Sequence, residues 1–94
     1  YTQECNDVAM MLIQHHKASE YSDRALDQFE QIYADAADGA RVMALVIHPY
    51  IMGAPHRTKY FRRVFERIRQ KHDVLFWTGE QILDWYLEAG PKAP

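Results

Sequence analysis

His48 is the residue of this chain whose position best suits it for chemistry. It ends the apolar run Val42–Ile47, and Pro49 and Gly53 then break the chain before the next helical segment. A short apolar run without polar alternation is typical of a strand buried on both faces, and ligands bind beyond the carboxyl ends of such strands. An imidazole there can act as a general acid, a base or a ligand. The competing interpretation is a structural histidine that hydrogen-bonds a loop carbonyl.

Polar side chains also follow the first predicted strand, Tyr1–Cys5. Glu4, Asn6 and Asp7 stand at its end. The carboxyl ends of parallel strands meet at one edge of a sheet, so we expect these groups near His48. They would orient its imidazole or bind polar atoms of a substrate. Capping of a following helix by Asn6 or Asp7 is the alternative.

Trp77 ends another apolar run, Val74–Trp77, and is expected at the same edge, where its ring would wall a pocket for a saccharide or cyclic amide. A plain core position suits it equally well. His15 and His16 are less suited to chemistry, because adjacent side chains on a helix diverge by about 100°. A metal site formed by them with Glu20 competes with a partly exposed polar patch, which the sequence favours.

The order of the predicted elements is β-α-β-α-β-α, which is the pattern of an α/β fold with a parallel sheet. Val8–Ile13 is either a helical turn or a buried loop. The first helix is predicted from an N-cap at Ser22 to Gly39, and the second over about residues 55–71. Thr78 and Gln81 form a capping-box pattern that opens a third helix. Gly90 and Pro91 end that helix.

Composition restricts the class of protein. The chain has 94 residues, 48% of them hydrophobic and 13% aromatic, which fits one small globular domain. The net charge of −2 gives no general attraction to nucleic acid, and no apolar run approaches the roughly 18–20 residues that span a bilayer. The lone Cys5 excludes an internal disulfide, and the first residues lack a signal-peptide pattern. A cytoplasmic protein without nucleic-acid or membrane partners is therefore expected.

Four stretches of the sequence carry a family resemblance, of which HPYIMGAPHR and VLFWTGEQILDWY are the most specific parts. They are TQECND, SDRALDQFEQIYADA, RVMALVIHPYIMGAPHRTKYFRRVFERI and HDVLFWTGEQILDWYL. Together they resemble the C-terminal part of the polysaccharide deacetylase (NodB-homology) superfamily. The closest branch contains allantoinase-like and peptidoglycan or chitin deacetylase-like proteins. The resemblance covers nearly all of residues 1–94 and implies the C-terminal part of a distorted (β/α) barrel.

The resemblance also implies an activity and a role for His48. Members of the superfamily hydrolyse a non-peptide C–N bond, either in an N-acetyl group of a carbohydrate or in a cyclic amide such as allantoin. His48 matches the late histidine that protonates the leaving nitrogen. In metal-dependent members a divalent metal such as zinc, held by one Asp and two His, polarises the carbonyl. We expect no metal ligands in this chain, although the complete domain is compatible with a metal.

The chain departs from the family in two motifs. The Thr-Phe-Asp-Asp-type motif, which supplies the base and one metal ligand, is absent, and so is the His-x3–4-His pair. We therefore expect a catalytically incomplete portion of a hydrolase that packs against the rest of its barrel or against a second copy. A non-catalytic binding or assembly module of the same fold is the alternative.

Overall fold

The computed structural model describes residues 4–89, in which three α-helices provide most of the regular structure. They are α1, Ala18–Asp35; α2, Thr58–Ile68; and α3, Gly79–Ala89. A π-helix, Val8–Ile13, precedes α1 and corresponds to the segment that the sequence left between a helical turn and a loop. No helix in this part of the chain is long and apolar enough to cross a membrane.

The predicted parallel sheet, and with it the α/β barrel segment, is wrong. Within residues 4–89 the structure contains no sheet, and its β-pairing consists of one isolated parallel bridge between Asn6 and Val46. Val74–Trp77 has no regular secondary structure. Most of the first predicted strand, residues 1–3, lies outside the described residues.

The missing sheet has a physical reason. An apolar run shows that a segment favours burial, but a strand also needs neighbours that receive its backbone N–H and C=O groups. Val42 and Leu75, in the two strands predicted to be buried, are 64% and 68% exposed. Neither run therefore has the cover on both faces that its composition predicts.

The core lies where α1 and α2 pack against the N-terminal segment and the loop after His48. Its buried apolar members come from all four of these parts. They are Cys5, Met10, Tyr21, Ala25, Phe29, Ile51, Met52, Val64 and Ile68. This core holds the loop that carries His48 against the segment that carries Asp7.

The first helix begins earlier than predicted. Lys17 occupies the N-cap position, and Ser22 lies inside α1, where its hydroxyl donates a hydrogen bond to the Ser19 carbonyl at 2.9 Å. The buried face of α1 comprises Tyr21, Ser22, Ala25 and Phe29. This stripe has helical spacing, although it includes one small residue and one polar residue. A 3-10 turn, Ala36–Asp38, links α1 to Gly39, the predicted end.

The start of α3 confirms the predicted capping box. The Thr78 N–H donates to Gln81 Oε1 at 2.8 Å, and the Gln81 N–H donates to Thr78 Oγ1 at 3.1 Å. These reciprocal bonds satisfy two backbone donors that the first helical turn leaves free. The predicted stop at Gly90 and Pro91 lies outside the described residues. The second helix is shorter at both ends than the predicted 55–71.

Candidate functional site

The isolated bridge brings the two candidate segments together. The Val46 N–H donates to the Cys5 carbonyl at 2.8 Å, and the Asp7 N–H donates to the Val46 carbonyl at 3.1 Å. Because the pairing is parallel, both chains continue in the same direction beyond it. Asp7 and His48 therefore emerge side by side, which is the juxtaposition expected for two parallel strand ends.

A buried carboxylate holds the imidazole of His48. Asp7 is fully buried, whereas 32% of the His48 side chain is exposed. Asp7 Oδ1 lies 2.7 Å from His48 Nδ1, and Asp7 Oδ2 accepts the backbone N–H of His48 at 2.6 Å. The Met52 N–H also donates to Oδ2, at 3.3 Å. The carboxylate thus fixes both the ring and the backbone of the residue that follows the bridge.

The geometry determines which ring nitrogen of His48 is available. An ionised carboxylate only accepts hydrogen bonds, so Nδ1 carries the proton in the contact with Asp7. Among residues 4–89, His48 Nε2 has no hydrogen-bond partner. A histidine held in this way can take up a proton at Nε2 and release it to a substrate.

The loop after His48 folds tightly back on itself. The Ile51 N–H donates to the His48 carbonyl at 2.9 Å, which closes a turn over Pro49 and Tyr50. Gly53 then passes so close to Pro49 that an added Cβ would stand 2.5 Å from the Pro49 carbonyl oxygen. Only glycine fits this approach without a shift of the backbone. The exposed Tyr50 ring meets His48 edge-on, with 6.0 Å between the ring centroids.

The other predicted site residues have different positions. Asp7 occupies the N-cap position of the π-helix, but it is Asn6 Oδ1 that accepts the N–H groups of Val8 and Ala9 in the first turn, at 3.0 and 3.3 Å. Glu4 is exposed, and its carbonyl oxygen accepts a hydrogen bond from Arg24 at 3.1 Å. The two predicted roles, helix capping and orientation of the imidazole, therefore fall to different residues. The Asn6 side chain bonds the start of the π-helix, and the Asp7 carboxylate bonds the His48 imidazole.

Trp77 lines a separate hollow of about 910 Å³, which we call the apolar groove. The groove lies between the second half of α1, the residues before Val46, α2 and α3, and His48 is not among its lining residues. Its aromatic walls include Phe29, Phe61, Phe65, Phe76 and Trp85.

Tyr21 supports the site although the sequence did not single it out. Its side chain is fully buried, and its hydroxyl donates to the Val46 carbonyl at 3.0 Å. Burial raises the pKa of Tyr21 well above its ordinary value, and the nearby Cys5 and Asp7 act in the same direction. The hydroxyl therefore stays protonated and ties α1 to the bridge. The signal for it was the spacing of Tyr21, Ala25 and Phe29.

Cys5 is a buried thiol behind the bridge. Its Sγ lies 2.7 Å from Gln28 Oε1, and burial raises its pKa, although Arg24 opposes the rise. A raised pKa keeps the thiol neutral and unreactive at neutral pH. Cys5 is therefore part of the packing of the site.

The metal implied by the family resemblance has no ligand set in the described residues. Between residues 4 and 89, no three His, Cys, Asp or Glu side chains are grouped so as to hold an ion. His16 lies 3.6 Å from Glu20 and 3.4 Å from an Arg24 nitrogen. Both oxygens of Asp7 are occupied by His48 and Met52. The described residues therefore do not fit a metal centre.

Comparison with known proteins gave no match. No family model, no curated protein and no solved structure matches the chain.

Proposed function

We propose that this chain contributes a general acid, His48, to the hydrolysis of a non-peptide C–N bond. The substrate class is an N-acetylated carbohydrate or a cyclic amide, as the resemblance to polysaccharide deacetylases implies. The observation that carries the proposal is the Asp7–His48 pair, in which a buried carboxylate holds Nδ1 and Nε2 has no partner among residues 4–89. A partly exposed imidazole that is held in one orientation by a buried carboxylate meets the requirements for proton transfer to a substrate.

The proposed step is limited to the leaving group. Hydrolysis of an amide gives hydroxyl to the carbonyl carbon and a proton to the nitrogen, and the C–N bond breaks between them. His48 in its imidazolium form supplies that proton from Nε2 and recovers one from the water consumed. Asp7 keeps Nδ1–H in place, so the proton that moves is the one on Nε2. In the family that the chain resembles, an Asp motif outside these 94 residues activates the water.

The test is hydrolysis of chitin oligosaccharides and of allantoin by the polypeptide that carries this sequence. His48→Gln should lower kcat about 10²–10⁴-fold, the usual contribution of a general acid. His72→Gln is the matched control, because His72 is exposed and contributes its backbone carbonyl to Tyr33. We expect the control to retain full activity.

Two results would contradict the proposal. Unchanged kcat in His48→Gln would remove His48 from the chemistry. Saturable binding of either substrate without turnover, in the wild-type polypeptide, would favour a non-catalytic binding module. A third variant, Asp7→Asn, keeps the size of the side chain and removes the charge that fixes Nδ1–H. Its kcat should lie between those of the wild type and His48→Gln, with KM little changed.

A further inference from the structure

A second hollow borders the chain segment that follows His48. It has a volume of about 440 Å³ and is lined by the segment around Lys17 and by residues 51–60. It shares Ile51 with the turn described above but includes neither His48 nor Asp7. The proposed hydrolysis therefore does not use this hollow, and any ligand that binds there is separate from the substrate of His48.

The lining of the hollow is rich in basic groups. It includes Lys17, Arg57, His16 and His56, and among the described residues no aspartate or glutamate belongs to it. Among residues 4–89, no carboxylate oxygen lies within 4.0 Å of Lys17 or Arg57. The whole chain has a net charge of −2, so this concentration of positive charge is local. Unpaired cations that face one concave surface attract and hold anions.

The lining also contains apolar side chains. They belong to Met11, Leu12 and Ile51, and Leu12 is 53% exposed. Tyr60 and Ser19 add hydroxyl groups to the lining. A pocket that combines apolar side chains with a few polar and charged groups selects a ligand by both of these properties.

Arg57 is held in place for such a role. Its guanidinium donates a hydrogen bond to the Ile51 carbonyl at 3.4 Å, and the residue is partly buried at the start of α2. A guanidinium has five donors in a planar fork, so a single backbone contact leaves most of them for a ligand. The same fork matches two oxygens of a carboxylate or a phosphate.

We propose that this hollow binds a small organic oxyanion, a carboxylate or a phosphate ester that carries an apolar or ring portion. The anionic head lies against Lys17 and Arg57, and the apolar portion lies against Met11 and Leu12. This site is separate from the Asp7–His48 pair, and the inference does not rest on the proposed hydrolysis.

Titration of the 15N-labelled chain followed by NMR tests the proposal with four probes. Benzoate and phenyl phosphate should bind saturably, with shifts concentrated at residues 11–19 and 51–60. Comparison of the two shows whether the head is a carboxylate or a phosphate. Benzamide, the neutral counterpart of benzoate, should bind at least about tenfold more weakly, because charged hydrogen bonds are the strong ones. Inorganic phosphate lacks the ring and should also bind more weakly.

Charge-removing variants locate the site. Arg57→Gln and Lys17→Gln should each weaken benzoate or phenyl phosphate binding about tenfold or more. Arg62→Gln removes the same charge from an exposed position of α2 outside the hollow and should stay within about twofold of the wild type. Lys17 is exposed and precedes α1, so Lys17→Gln is not expected to disturb the fold. This variant still tests the site if Arg57→Gln does not fold. Equal affinities in all four proteins, or benzamide binding as tightly as benzoate, would overturn the proposal.

Discussion

The surroundings of the Asp7–His48 pair and the apolar groove differ in how completely their groups are satisfied. Around the pair, Asp7 is fully buried with three hydrogen bonds, and Tyr21, Ile51 and Met52 are at most 2% exposed. Along the groove, Leu75, Phe76 and Leu83 are 68%, 57% and 54% exposed. The surroundings of the Asp7–His48 pair are therefore a packed core, whereas the apolar groove exposes its apolar side chains to solvent.

The same kind of sequence signal led to both outcomes. Val42–Ile47 and Val74–Trp77 are both short apolar runs, and both were predicted to be buried strands. Val46 meets the Cys5–Asp7 segment, which accepts and donates its backbone hydrogen bonds. Residues 74–77 have ring contacts such as the stacking of Phe65 on Phe76, with 5.5 Å between centroids, but no backbone ladder. An apolar composition thus predicts that a segment favours burial. Whether it pairs as a strand depends on a neighbouring segment that can bond its backbone N–H and C=O groups.

Matched truncations on the two sides give the largest expected difference. Ile51→Ala, in the core beneath the His48 loop, should lower the free energy of unfolding by about 2–5 kcal/mol, because it leaves a cavity. Leu75→Ala should change it by about 0.5 kcal/mol or less, as for an exposed position. Urea unfolding of both variants measures the contrast.

A comparable loss in Leu75→Ala would break the comparison. It would mean that the groove is covered in solution, as the expectation of packing against further protein or a second copy requires. Sedimentation of the wild type over a range of concentrations would then distinguish a second copy from a cover within the same polypeptide. That expectation of a partner stays a prediction.

Local features of the fold could be predicted from the sequence, while its long-range pairings could not. The Thr78–Gln81 capping box was visible because both partners lie within one helical turn. The start of α1 was misplaced at Ser22, because a serine inside a buried face resembles an N-cap. The sheet was wrong because strand pairing depends on neighbours that a local pattern does not contain.

The candidate site shows the same division. His48 and Asp7 were predicted to lie close together from their places at the ends of two predicted strands, and the structure puts Asp7 Oδ1 2.7 Å from His48 Nδ1. The sequence could not show whether the side chain of Asn6 or that of Asp7 bonds the first turn of the π-helix. Two adjacent polar residues differ in the direction of their side chains, and only the structure gives that direction. The role of Tyr21 depends on a contact across 25 positions of sequence, which no local pattern contains.

Removal of the buried Tyr21 hydroxyl should have an effect of intermediate size on the free energy of unfolding, and it tests the contrast between buried and exposed positions. Tyr21→Phe should lower the free energy of unfolding by about 0.5–1.5 kcal/mol at neutral pH, since one buried hydrogen bond is lost. The Val46 carbonyl keeps the Asp7 N–H, so no acceptor is orphaned. Tyr33→Phe is the control, because its hydroxyl donates to the His72 carbonyl in an exposed setting, and it should be close to neutral. Equal losses in the two variants would remove the special role of the buried site.

The same variant has a signature at alkaline pH. Burial raises the pKa of Tyr21 in the folded state, so the unfolded chain loses this proton first as the pH rises past the ordinary value of 10.0. Stability from the buried phenol is therefore complete below that pH and declines above it. The free energy of unfolding of Tyr21→Phe should fall less steeply above pH 10 than that of the wild type. Parallel curves would contradict the assignment.

The smallest expected effect concerns α3, which lines the groove yet begins with a well-formed cap. Thr78→Ala should weaken the start of α3 by about 0.5–1 kcal/mol, the lower part of the range for N-caps, because the helix is largely exposed. Thr58→Ala at the first residue of α2 is the control, since no side chain caps that helix.

Hydrogen exchange of the Gln81 amide, which donates to Thr78 Oγ1, measures the change directly. In Thr78→Ala this amide should exchange several-fold faster, while amides in the core keep their protection. Unchanged exchange at Gln81 would show that packing along the groove, rather than the local cap, holds the start of α3, and the contrast between the two regions would then be smaller than their exposures indicate.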